Sequence, residues 1–217
     1  MIANIYKPVQ WTSFDVVKKI RNISKEKKVG HAGTLDPFAE GVLVIGTGKD
    51  TKSLTEISGT DKTYEAVLKL GSATDTMDSE GTITDLCPLP EITENEINQV
   101  FSKFVGNLEQ IPPMYSAKKV NGIRLYKLAR KNQVVHREPV SIVIYKLQFL
   151  SYKKPILKFF VHCSKGTYVR VLGNDIAKEL GTVGHLIQLI RTSVGKFTIN
   201  ESQTIDEFSN TWSSITN

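Results

Sequence analysis

Three stretches of this chain alternate apolar and polar residues at a period of two, and that pattern limits the possible folds more than any other feature. Thr63–Leu70 sends Tyr64, Ala66, Leu68 and Leu70 to one side and Glu65 and Lys69 to the other, as a strand with one buried face does. Val140–Phe149 and Ile156–Cys163 repeat the alternation close together and read as neighbouring strands. Ala3–Lys7, the apolar run Val42–Ile45 and Leu186–Ile190 add three more. Strands outnumber clean strand–helix–strand units, so the expected fold class is α+β, a mixed, largely antiparallel sheet with helices packed on it.

Helical spacing fills the intervals. Val16, Val17, Ile20 and Ile23 share one face of a helix for which Ser13 is the expected cap. Thr93 and Glu96 form a capping box ahead of the stripe Ile97, Val100, Phe101 and Phe104, in a helix ending at Gly106. Leu172, Ile176 and Leu180 mark another helix, stopped by Gly181. A short helix follows Asp50, a basic one covers Leu125–Arg130 after the turn Asn121-Gly122, and Thr204 with Glu207 opens the last. Residues 72–90 are polar and read as a loop or hairpin, and Gly30–Pro37 has no consistent period and reads as a loop. No linker, repeat or low-complexity tract appears, and residues 1–217 read as a single domain.

The 28 Lys+Arg outnumber the 22 Asp+Glu by six, a mildly basic balance compatible with an RNA partner and weak evidence for one. Apolar runs such as Val42–Ile45 fall far short of the roughly 18–20 residues that span a bilayer. The N-terminus shows no basic segment followed by an apolar one. No membrane association is expected, and the expected compartment is cytoplasmic. Cys87 and Cys163 are expected to be reduced and buried. No C-x-x-C accompanies the four histidines, so zinc lacks its ligand spacing, which argues against a zinc-dependent base deaminase. Gly46–Asp50 invites a phosphate-loop reading, but Leu43 and Asp50 stand where that motif needs Gly and Ser or Thr; a strand-to-helix turn is expected instead.

Four residues carry possible chemistry, each beside a plainer reading. Asp36 precedes Pro37 in the glycine-rich loop, either as a turn-former or as a carboxylate held at a cleft. His31 is either a satisfied loop histidine or a contact to a polar substrate. Tyr64 is either core or pocket wall, and Arg170 either a solvated cation at a helix start or part of a site.

Six ordered blocks bear on that choice: Lys7-Pro8; Gly30–Pro37 with Gly41-Val42-Leu43; Lys62–Ala66; Pro112–Ala117; Lys165–Arg170; and Leu189 with Arg191-Thr192. Together they make the chain resemble the TruB-type tRNA pseudouridine synthases over nearly its whole length. The resemblance implies the pseudouridine synthase fold and a metal-free, cofactor-free isomerisation of uridine 55 in the T-arm of tRNA. The bond from ribose C1′ to N1 breaks, the uracil turns while held, and the link re-forms at C5.

In that family pattern Asp36 matches the catalytic aspartate, Arg170 the arginine paired with it, and Tyr64 the tyrosine stacked on the target base. His31 matches the histidine that fills the place of the flipped nucleotide, Tyr168 and Leu189 line the pocket, and Lys7 belongs to the substrate-binding set. Lys18, Lys19, Arg21, Lys25, Lys27 and Lys28, with Lys118, Lys119, Arg124 and Lys127, would contact RNA phosphates, unless they are ordinary solvated faces. A PUA-type domain, common at the C-terminus of this family, is not expected here. No guide RNA is expected either, and the protein is expected to be a monomer. A non-catalytic RNA-binding or tRNA-folding module of the same fold is the alternative. Ile190 stands where the family usually has an arginine, and Lys118 replaces a usual aliphatic residue.

Overall fold

The computed structural model describes residues 1–216, with side chains to residue 212. The first half of the chain gives β1 (Ile2–Lys7), α1 (Ser13–Ser24), β2 (Val29–His31), β3 (Glu40–Thr47), α2 (Leu54–Ser58), β4 (Lys62–Leu70), β5 (Ser72–Thr74), β6 (Ile83–Leu86), α3 (Glu94–Lys103) and β7 (Gly106–Gln110). The second half gives β8 (Lys119–Val120), β9 (Ile123–Arg124), α4 (Leu125–Ala129), β10 (Val140–Lys153), β11 (Ile156–Cys163), α5 (Val169–Glu179), β12 (Gly184–Val194), β13 (Phe197–Thr198) and α6 (Ile205–Thr216). The chain divides into two compact units, Met1–Tyr64 with Leu189–Asn217 as the first and Glu65–Gln188 as the second. Among the described residues, no helix is long and apolar enough to cross a membrane.

In the first unit β3 is the pivot. It pairs antiparallel with β1 and β2, and parallel with β12 through Ile190 opposite Glu40 and Arg191 opposite Gly41. Val42, Val44, Leu43 and Ile45 are all wholly buried, because both faces of this strand are covered. Ile5, Leu43 and Ile45 meet Val16, Val17 and Ile20 of α1 and Phe208 of α6 on one side. Val42 and Val44 meet Ala32, Leu54 and Val194 on the other. Burying one such aliphatic side chain stabilises by about 1.5–3 kcal/mol, so the covered strand is a rigid base for the loops at its ends.

In the second unit the strand order is β4, β11, β10, β7, with β10 antiparallel to both neighbours. Ala66, Leu68 and Leu70 of β4 are buried while Glu65 and Lys69 are exposed, as the alternation requires. Phe101 of α3 meets Phe159 of β11 edge to face at 5.9 Å. With antiparallel ladders beside the parallel β3–β12 pair, and six helices among the described residues, the fold is α+β with a mixed sheet.

The structure departs from the sequence reading at a few places. Thr12, not Ser13, caps α1, in a capping box with Asp15. Ser13 is buried and its hydroxyl is turned toward Leu35 instead. β2 occupies Val29–His31, overlapping the start of the stretch read as loop, and β7 and β13 went unrecognised because Gly, Asn, Glu and Thr leave too few apolar positions to mark a period. Cys87 is half-buried rather than buried, and neither cysteine is in a disulfide.

Candidate active site

The loop between β2 and β3 is held at every residue around Asp36. Asp36 itself opens a turn, its carbonyl accepting from the Ala39 N–H at 3.1 Å with Pro37 in the position that favours that turn. The turn-forming reading therefore holds for the backbone, and the carboxylate stays half-buried rather than lost in the core. One residue before, Leu35 is clamped by the Ser13 hydroxyl, which accepts from its N–H at 2.9 Å and donates to its carbonyl at 3.0 Å. One residue after, the Pro37 carbonyl accepts from the Gln10 N–H at 2.8 Å and the Lys7 ammonium at 3.3 Å.

Lys7 has none of its surface exposed, and it also donates to the carbonyls of Trp11 at 2.6 Å and Pro8 at 2.9 Å. Its geometry is that of a brace under the loop, not of a side chain reaching for substrate.

Arg191 is the other brace, and its role in the fold went unread in the sequence. It is 1% exposed and donates from Nε to Val42 O at 2.7 Å, from Nη1 to Thr34 O at 3.3 Å and from Nη2 to Gly33 O at 3.2 Å. The planar guanidinium presents its donors from three nitrogens in a fixed fork, whereas the Lys7 ammonium reaches its three carbonyls from a single nitrogen. Gly41, at φ 105, lets β3 approach β12 this closely: a Cβ there would stand 2.4 Å from the Arg191 carbonyl oxygen.

Also in the first unit, Tyr64 lies on the buried side of β4 and is 8% exposed, Leu189 is 5% exposed, and His31 closes β2, half-buried. Thr63, on the opposite face of β4 from Tyr64, exchanges hydrogen bonds of 2.7 Å with the hydroxyls of Thr192 and Ser193. That pairing fixes the rotation of the strand.

In the second unit, Arg170 sits in the first turn of α5 and is buried, unlike a solvated cation at a helix start. It donates to Thr76 O at 2.7 Å and Tyr115 O at 2.8 Å, and Nη1 lies 3.3 Å from Oδ2 of Asp78. Asp78 is buried as well and accepts from the Thr76 hydroxyl at 2.6 Å and the Glu80 N–H at 3.0 Å. Breaking a buried pair of this kind by removing one partner costs about 3–5 kcal/mol. Asp78 had no signal in the sequence, because a buried acid in a polar loop looks like its solvated neighbours. Tyr168 precedes α5, with its backbone held on both sides by the Gln110 amide, at 2.7 and 3.1 Å.

Of the basic residues, Lys18, Lys19, Lys25, Lys27 and Lys28 are exposed in the first unit, and Lys119, Arg124 and Lys127 in the second. Lys118 is half-buried. Arg21 is half-buried too and turned back toward the Val29 carbonyl at 3.4 Å.

Residues 21–169 match the TruB family pseudouridylate synthase (N terminal domain). Two relatives, each called tRNA pseudouridine synthase B, are those of Geotalea uraniireducens, 47% identical over 91% of this chain and 64% of its own length, and Parabacteroides distasonis, 44% identical over 93% and 90%. The chain thus spans just under two thirds of the first relative and most of the second. A solved Cbf5-Nop10-Gar1 complex holds a chain with a TM-score of 0.76 and 28% identity over 96% of this chain and 53% of its own. A loop braced around Asp36, a buried Arg170 and a matching sheet accompany these likenesses, and the chain belongs to the TruB family of pseudouridylate synthases.

Proposed function

We propose that this protein isomerises uridine 55 in the T-arm of tRNA to pseudouridine, acting in the cytoplasm as a monomer and without a guide RNA. The observation that carries the reading is the bracing of Leu35 and Pro37, the two neighbours of Asp36, by Ser13, Lys7 and Gln10, with Gly33 and Thr34 held by Arg191. A carboxylate that must meet one sugar and one base in a fixed geometry gains rate from such preorganisation.

The target uridine is stacked inside a folded arm, so it must be everted, at a cost of a few kcal/mol. In this reading His31 fills the space it leaves, the Tyr64 ring stacks on the everted uracil, and Tyr168 and Leu189 supply shape. Asp36 then acts on the nucleotide while the C1′–N1 bond opens and C5 takes its place, C5 giving up its proton and N1 gaining one, whether by adding to sugar or base or by taking a ribose proton. Arg170 contributes the cation of the same reaction, kept in place by Thr76, Tyr115 and Asp78. Nothing is oxidised or reduced between uridine and pseudouridine, so the chemistry calls for no redox cofactor. Lys7 enters as a brace and the exposed lysines as phosphate contacts.

The test is site mapping. Incubation of an unmodified tRNA transcript with this protein alone, followed by carbodiimide adduct formation and primer extension, should produce one new stop reporting position 55. No stop, a stop elsewhere, or dependence on an added RNA would contradict the reading.

A further inference from the structure

Beside the residues that support the Asp36 loop lies an open hollow of about 370 Å³, lined by Gln10, Trp11, Asp15, Lys18, Lys19 and Asn22. It is tied to that loop directly, since the Gln10 N–H is bonded to the carbonyl of Pro37, the residue after Asp36. Gln10 holds φ at 66°, a region in which a residue with a Cβ is uncommon. Glycine would occupy it without strain; glutamine instead holds an exposed primary amide, both donor and acceptor, at the rim.

Trp11 is half-buried, packed on one side against the core of the first unit. Lys18 and Lys19 are exposed along α1. Asp15 keeps its negative charge, its carboxylate held by the N–H and hydroxyl of Thr12 at 2.9 and 2.6 Å, and the two ammonium groups outnumber it. An aromatic ring, an amide and two ammonium groups are what one unpaired nucleotide asks of a protein: a stacking surface, a base-edge partner and a phosphate partner.

We propose that this hollow binds the nucleotide adjoining the target uridine in the same RNA strand. The inference rests on the RNA reading above and follows from its physics, because everting one nucleotide removes a stacking partner from its neighbour and leaves that base to be held by something else.

Affinity measured on T-arm stem-loops, intact or with an abasic site directly 5′ or 3′ of the target, tests it. The wild-type protein should bind one of the two abasic RNAs about tenfold more weakly than the intact one. Gln10→Gly, which relieves backbone strain and so keeps the fold, should lose about fivefold on intact RNA and almost nothing on that same abasic RNA. Trp11→Ala, with its unfolding transition measured alongside, should show the same coupling more strongly. Losses that simply add for both variants on both abasic RNAs would overturn the subsite while leaving the activity intact. Failure of the wild-type protein to convert any T-arm RNA would overturn the parent reading and this subsite with it.

Discussion

Arg191 gives its guanidinium to three backbone carbonyls, and among the described residues no carboxylate pairs with it. Each carbonyl left without a donor in a buried place costs about 1–3 kcal/mol. Arg191→Met, which leaves the buried Val42 carbonyl without this donor, should therefore destabilise the protein by about 1–3 kcal/mol in urea unfolding. Below its new midpoint it should turn over more slowly at saturating RNA with KM little changed, whereas Arg191→Lys should recover part of the rate. An equal loss in both parameters would make Arg191 part of the RNA surface instead. Gly41→Ala is the harsher change, since the new methyl meets strand backbone 2.4 Å away at a φ of 105° that alanine rarely adopts. It should unfold well below the wild-type midpoint, and a wild-type melting curve would refute the close approach. Asp36, Tyr64 and Arg170 were legible as candidates because they stand in ordered blocks of sequence. Their braces were not, because Lys7, Ser13 and Arg191 act through backbone carbonyls and amides far away in the chain, and no local pattern records that.

At the scale of elements, helix starts were easier to read than short strands. The Thr93–Glu96 box and the Thr204–Glu207 pair stand where the spacing put them. At α1 the reading slipped by one residue, because Thr12 and Ser13 are both good caps and only the burial of Ser13 against Leu35 decides between them. β2, β7 and β13 are short and carry few apolar residues, so pairing with a neighbouring strand, not their own pattern, makes them strands. The capping boxes predict a pH dependence. The carboxyls of Asp15, Glu96 and Glu207 titrate below their ordinary values, mainly through hydrogen bonds from Thr12, Thr93 and Thr204. A lowered folded pKa adds stability that is complete above the unfolded value and vanishes as pH falls through the folded one. Thr12→Ala should therefore cost about 1 kcal/mol at neutral pH, with the gap to wild type narrowing as the pH drops below about 4 to what the bond from the Asp15 N–H to the Thr12 hydroxyl supplies. A gap that stays constant down to acid would remove the charge from the cap.

For the molecule as a whole, alternation and covered apolar runs were enough to indicate an α+β sheet protein, and they said nothing of the two compact units. The units take the chain ends and the chain middle, and the crossings fall within β4 and β12, where no glycine or proline cluster marks a boundary. The excess of six positive charges is a property at this scale too. The logarithm of RNA affinity should fall linearly with the logarithm of salt, and replacing Lys25, Lys27 and Lys28 with glutamine should flatten the slope by about 0.7–0.9 for each phosphate that is no longer neutralised. A slope unchanged by all three substitutions would place the RNA elsewhere. The central claim is that one braced carboxylate carries out the isomerisation, and tritium release from C5-labelled T-arm RNA by Asp36→Asn, measured beside its RNA affinity, tests it most directly. Release should drop by about a thousandfold or more while affinity stays within about twofold. Release near the wild-type rate, or a parallel collapse of binding, would contradict it.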